Sequence, residues 1–315
     1  MTGVDALYDR EESRPSCSRL NLDSLDSALR RPRRRTPLSG ILKCWRHDEV
    51  VVVCDRTKNL EDCPDLSLRI RGALGRRLRE RHLQDPPGSG PSAWDVLWLY
   101  SPPRGWDVEI ARPYVVQASI IGDILVAVVR LFGCSRQFAP EVLSALVEAL
   151  TSGIRLKTPR GIFVRHEVRQ AEVLRFDGLE IGARETSTCH LHFVTAAAVR
   201  NGRSLVLNPV SVVMSSVRRV AAVVPWMGME LDFDDAKLRA ACGELRFDMD
   251  GVRPANWVRY SLRQGSEEIP VHGLVGDVYM HGNLSAIYPY LRLAEITGIG
   301  SSTALGLGQI GCIFT

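Results

Sequence analysis

The order of elements predicts an α+β protein of two tandem ferredoxin-like (βαββαβ, RRM-like) domains at 39–185 and 186–315, behind a basic mobile arm at 1–38. Three observations carry this. A length of 315 residues suffices for two medium domains with real cores. A composition of 45% hydrophobic and 24% charged residues excludes a disordered, collagenous or membrane chain. Apolar runs of strand and helix period alternate in the same order twice, with no sequence identity between the halves.

The elements follow in order. Residues 1–38 are polar and end in Arg30, Arg31, Pro32, Arg33, Arg34 and Arg35, like charges broken by proline that read as a tail. Residues 40–56 (GILKCWRHDEVVVVCDR) end in a β-branched run and read as a strand. In 66–83, Leu66, Ile70, Leu74 and Leu78 recur at helical spacing with arginines on the other side, predicting a helix with one basic face. After the turn DPPGSGP come strands at 95–101, 113–119 and 123–132, a helix at 140–150 opened by Pro140, and a closing strand at 162–174. The second round gives a strand at 188–198, a helix at 209–224, strands at 246–250, 257–263 and 274–280, a helix at 284–297 and a last strand at 310–314.

The chain carries 40 basic and 36 acidic residues, a formal net charge of +4. Only Lys43, Lys58, Lys157 and Lys237 are lysines; the remaining basic residues are arginines, whose planar guanidinium binds phosphate bidentately. A GC-rich genome produces the same skew, so composition leaves nucleic-acid binding and codon usage both open. The eight cysteines are scattered without a C-x-x-C pair, which argues against a zinc site or a disulfide framework. The N-terminus has no secretory pattern and no run approaches the roughly 18–20 apolar residues of a membrane span, so a cytoplasmic protein is expected.

The segment LRLAEITGIGSSTALGLGQIGCIF at 291–314 runs from a helix through Gly298, Gly300, Gly306 and Gly308 into the last strand. Such glycine density permits positive φ and leaves backbone N–H groups able to line an anion site. It is no Walker A loop, lacking Gly-Lys-Ser/Thr, and no dinucleotide fingerprint, which follows a strand and opens a helix.

This segment resembles the C-terminal signature of the RAMP proteins, the RNA-binding proteins of CRISPR systems, and within them the endoribonucleases that cut precursor CRISPR RNA inside each repeat, the sixth Cas family. Three further stretches share the likeness: Arg71-Gly-Ala-Leu-Gly-Arg, residues 153–161, and Trp257-Val-Arg-Tyr-Ser-Leu-Arg-Gln leading to Gly273-Leu-Val-Gly. Together the four span most of 66–310, and the arm has no counterpart. The resemblance implies a basic cleft for repeat RNA and metal-independent cleavage by the RNA's own 2′-OH, leaving a 2′,3′-cyclic phosphate and a 5′-OH. It implies no cofactor and no metal. The implied partners are CRISPR repeat RNA, precursor and mature, and other Cas proteins of an interference complex, with no membrane. Non-catalytic RAMP relatives that hold guide RNA within such a complex share the glycine loop and give the alternative.

Such a reaction needs proton transfer at the 2′-OH and the leaving 5′-oxygen, which histidine suits near neutral pH. Of the seven histidines, His82 comes first, because the resemblance places a general acid or base at the end of the first helix; His47, in the first strand, is second. His190 and His192 share one strand face, His272 and His281 read as structural, and Tyr100, Tyr260 and Tyr279 are weaker helpers. The expected RNA contacts are Arg76, Arg77, Arg79 and Arg81 on the helix; Arg155, Lys157, Arg160 and Arg165 around the following loop; Arg259 and Arg263; and Gly298, Gly300, Ser301, Ser302, Gly306 and Gly308.

Overall fold

The computed structural model describes residues 22–30, 34–56, 65–86, 89–101, 109–155, 163–201, 204–261 and 267–315. Its elements in chain order are α1 (Leu22–Arg30), β1 (Arg34–Pro37), α2 (Leu38–Cys44), β2 (Arg46–Asp55), α3 (Leu66–His82), β3 (Tyr114–Ile121), β4 (Ile124–Phe132), α4 (Ala139–Ser152) and β5 (Val168–Asp177). The second round is β6 (Thr188–Ala197), α5 (Pro209–Val223), β7 (Met229–Asp232), α6 (Asp235–Gly243), β8 (Arg246–Asp248), β9 (Arg253–Ser261), β10 (Glu267–His281), α7 (Tyr288–Thr297) and β11 (Ile310–Phe314).

The first sheet has the order β3-β4-β2-β5 and every neighbour pair is antiparallel. Counting its strands along the chain gives 2-3-1-4, the ferredoxin-like order, with α3 and α4 as the two crossovers. The second sheet repeats it as β8-β10-β6-β11, with β9 continuing the β8 edge of β10. Here α5 and α7 are the crossovers, so the chain has two tandem ferredoxin-like domains. Alternation explains the layering. Val50, Val52 and Cys54 of β2 point beneath α3 and α4 into one core, while Cys189, Leu191 and Phe193 of β6 point beneath α5 and α7 into another.

Four expectations are corrected. The strand expected over 40–56 begins only at Arg46, because Ile41 and Leu42 sit on the short α2 and Ile41, Leu42 and Trp45 are buried in the second core. The strand expected at 95–101 is a wide helical turn over Trp94–Leu99, with Tyr100 N–H bonded to the Asp95 carbonyl at 2.7 Å. A short run that is apolar apart from Asp95 satisfies both periods, and here Ser92, whose N–H and hydroxyl both donate to Asp95 Oδ2 at 2.9 Å, starts the turn. Removing that strand leaves one βαββαβ unit in place of an overcounted one.

The arm is the third correction, since α1 buries Leu25 and Leu29 in the first core and β1 pairs in parallel with β7. Arg34 and Arg35 stay exposed on β1, where Arg35 meets Glu230 at 3.2 Å; Arg31 and Arg33 lie outside the described residues. The fourth is Pro209–Met227, which is long and apolar enough to cross a membrane but is 67% buried in this fold.

The domains meet through close backbone packing. Trp226 Nε1 donates to the Ala111 carbonyl at 2.8 Å, and Gln309 Nε2 to the Val116 carbonyl at 2.8 Å. At Gly133, with φ +59°, a Cβ would lie 2.1 Å from the Trp226 carbonyl oxygen, so only glycine permits this approach.

Candidate nucleic-acid interface

Between the domains lies a cleft of about 1590 Å³. Arg71, Arg76 and Arg79 of α3 line one wall with Arg112, and Arg200, Arg218, Arg219 and Arg239 line the other. Among the described lining residues Glu109 is the one carboxylate. Helical spacing explains the first wall, since 71, 75, 79 and 82 fall on one face while Leu66, Ile70, Leu74 and Leu78 bury the opposite face. A low-dielectric cleft lined by one sign of charge concentrates its field on a polyanion.

The floor is aromatic. Trp98 stacks on Tyr114 with centroids 4.7 Å apart, and Trp94 lies 6.3 Å from Trp98. Gly75 makes room for the indole, since a Cβ there would meet Trp98 Nε1 at 2.4 Å. Arg71 covers this floor with its guanidinium 5.2 Å from the Trp98 ring and bonded to the Tyr114 hydroxyl at 2.9 and 3.1 Å.

His82 stands at the cleft edge, half-buried at the end of α3. Its Nδ1 is 3.2 Å from Ser92 Oγ and 3.4 Å from Asp95 Oδ2. Because the Ser92 hydroxyl donates its proton to Asp95, it accepts from Nδ1–H. Neutral His82 then carries its lone pair on Nε2, and that nitrogen has no partner among the described residues. A histidine so held accepts or donates one proton at a fixed atom.

His47 is elsewhere, and the expectation that it takes part in catalysis is corrected. It is 2% exposed. Nδ1 accepts from Trp45 Nε1 at 3.1 Å, Nε2 faces Glu49 Oε1 at 3.8 Å, and the ring stacks on Phe176 at 4.5 Å. No substrate reaches it. Burial pushes Glu49 up, but the His47 hydrogen bond and the Arg130 guanidinium outweigh it and hold the carboxyl down at about 2. The remaining histidines do not line the cleft. His190 and His192 share Asp277 Oδ1 at 2.7 and 3.0 Å, His272 bonds Asn256 Oδ1 at 2.7 Å, and burial lowers the pKa of His166.

The arginines divide. Arg76 and Arg79 are exposed in the cleft. Arg77 instead pairs with Glu80 at 2.6 Å, and Arg81 turns onto α4 to bind Glu148 and Ser144 at 2.5 and 2.7 Å, so both are corrected to structural roles. Lys157, Arg160 and Arg263 lie outside the described residues; Arg155 and Arg259 are placed on strands by their backbones alone, and Arg165 is exposed.

The glycine loop divides likewise. Gly300, Ser301 and Ser302 line the cleft. Gly298, Gly306 and Gly308 are buried and serve packing, which corrects their expected RNA contact. At Gly308 (φ +71°) a Cβ would meet the Ile299 carbonyl oxygen at 1.9 Å, and at Gly306 (φ +84°) the Ser67 Cβ at 2.4 Å. Sequence reading missed Arg112, Arg200, Arg218, Arg219 and Arg239, which no motif marks, and the Ser92–Asp95 pair, hidden in a segment read as turn and strand.

Two ferredoxin-like domains, an arginine-lined cleft between them and a C-terminal glycine loop on its wall are the arrangement that the resemblance to RAMP proteins implies. Residues 191–310 match the family model of the CRISPR-associated endoribonuclease Cas6. Among solved structures, a Cas6 product complex is 17% identical at a TM-score of 0.49, with 85% of this chain and 99% of that one covered. Cas6 of Thermus thermophilus is 14% identical at 0.49, again over 85% and 99%. A structure described as a RAMP protein binding different RNA substrates is 15% identical at 0.42 over the same shares. No curated protein matches the sequence.

Proposed function

We propose that the chain binds CRISPR repeat RNA in the interdomain cleft and cuts the precursor transcript within each repeat, acting in the cytoplasm where that transcript is made. The observation that carries this is His82, fixed by Ser92 and Asp95 at the edge of a cleft lined by eight arginines and by part of the glycine loop.

In the proposed reaction the ribose 2′-oxygen attacks the adjacent phosphorus while the bond from phosphorus to the 5′-oxygen breaks. One proton leaves the 2′-OH and one reaches the departing 5′-oxygen, giving a 2′,3′-cyclic phosphate and a 5′-OH. His82 Nε2 performs one of these transfers, as base when neutral or as acid when protonated. The cleft arginines stabilise the charge that builds on the phosphoryl oxygens. Trp94, half-buried beside Trp98, supplies a surface on which an unpaired base stacks.

The purified chain, incubated with its repeat RNA in excess EDTA, should yield one cut with cyclic-phosphate and 5′-OH ends. Tight binding with no cut would instead identify a guide-holding subunit without nuclease activity. No binding at all would sink both.

A further inference from the structure

α5 holds the glycine loop at two points one helical turn apart. Ser215 Oγ accepts the Gly300 N–H at 2.7 Å, and Arg219 Nε donates to the Thr297 carbonyl at 2.9 Å. The second bond caps an orphan carbonyl at the end of α7. It uses one nitrogen of the guanidinium. Nη2 is buried with no hydrogen-bond partner, although Arg219 is 8% exposed and lines the cleft.

An arginine used only to cap α7 would not need this arrangement. Leaving a buried guanidinium donor unpaired is among the costlier features a fold can carry. The surroundings do not offset it. Arg219 has no ion pair among the described residues, and Glu109 favours its charge only from a distance. Burial lowers its pKa to about 10, so it remains a cation at neutral pH. The neighbours on this wall, Arg218, Ser301 and Ser302, are exposed and carry no opposite charge. Among the described residues nothing complements Nη2 of Arg219.

We infer that the wall between α5 and the glycine loop is a subsite for one RNA phosphodiester, with the Nη edge of Arg219 as its donor. A phosphodiester has one negative charge and two free oxygens at the spacing of a guanidinium edge, so it matches both the charge and the fork. Ser215 Oγ holds the Gly300 N–H on this wall, and because Nη2 is buried the subsite requires the exposed cleft residues 301–302 to give way as the strand docks. This assignment rests on the proposed function and adds to it. It names a residue that contacts substrate away from His82 and from the basic face of α3.

The test compares the wild-type chain with Arg219→Met and Arg219→Lys, measuring unfolding temperature without RNA and affinity for repeat RNA over a salt series. Arg219→Met should leave the unfolding temperature close to that of wild type, because loss of the unpaired buried charge offsets loss of the Thr297 cap. Its RNA affinity should fall roughly 10- to 100-fold, as for loss of a charge-assisted bond. The slope of log affinity against log salt should shrink by about 0.7 to 0.9, one phosphate's worth. Arg219→Lys keeps the charge without the planar edge and should lose affinity with the slope retained.

A lower unfolding temperature with unchanged RNA affinity in Arg219→Met would overturn the subsite and leave a helix cap. If that variant does not fold, full wild-type affinity in Arg219→Lys overturns it equally. Wild-type protein that binds no repeat RNA would overturn the proposed function itself, an outcome distinct from tight binding that is indifferent to residue 219.

Discussion

His47 and His82 lie 35 positions apart, one on the central strand of the first sheet and the other at the end of the helix that follows. His47 has both ring nitrogens engaged and both faces covered by Phe132 and Phe176. His82 has one nitrogen engaged, by Ser92 and Asp95, and the other open to a cationic cleft. The same imidazole is a core residue in one place and, in the proposed function, a proton carrier in the other. What separates them is whether a free nitrogen meets solvent, which depends on what packs above each residue.

The sharpest way to break the comparison is paired alanine substitution. His82→Ala should lower the cleavage rate roughly 10²- to 10⁴-fold while the unfolding temperature stays put. Unchanged cleavage would remove His82 from the chemistry. His47→Ala should do the reverse, costing about 2–4 kcal/mol of stability by denaturant melt with the rate preserved at permissive temperature. A rate loss in the folded His47 variant would show the two sites to be coupled.

Acid adds a second handle on the buried site. The Glu49 carboxyl is lowered in the fold to about 2, so its contribution is full above the unfolded pKa near 4.5 and is lost as pH falls from there toward 2. A Glu49→Gln variant should therefore be less stable than wild type at pH 7 and converge on it as pH falls to about 2, as read from melts across that range. Parallel curves would mean that the Arg130–Glu49–His47 group contributes nothing through charge.

Asp95→Asn tests how His82 is held. It should slow cleavage roughly tenfold with RNA affinity unchanged, because the carboxylate fixes the tautomer and does not touch substrate. A fall in affinity instead would place Asp95 in the binding surface. The smallest expected effects separate the arginines of α3. Arg76→Ala and Arg79→Ala should each weaken RNA binding about 5-fold and shrink the salt slope by about 0.8. Arg77→Ala and Arg81→Ala, whose charges are already paired with Glu80 and Glu148, should stay within about twofold.

The helix at 66–82 and the strands around Val50, Val128 and Leu191 could be read from spacing alone, because apolar period reports directly which face is buried. The segment 94–99 could not, since its apolar run fits a strand and a helical turn equally. The α3 wall of the cleft was visible as a basic stripe, but Arg77 and Arg81 on the same helix could not be told from Arg76 and Arg79. Helical spacing shows where a side chain starts, and the paired carboxylate comes from elsewhere in the chain.

By itself the sequence determined two βαββαβ units, the basic first helix and the glycine loop, because each follows from local periodicity and backbone freedom. It also singled out His82 as the histidine to test. The tertiary structure alone decided that α2 joins the second core, that His47 is sealed, that three of the loop's glycines serve packing, and that Arg200, Arg218, Arg219 and Arg239 face the α3 arginines. The first and last of these depend on the docking of one domain against the other, His47 is sealed by strands that pair only in the folded sheet, and Gly308 by the loop folding back on Ile299. Such contacts leave no periodic trace along the chain.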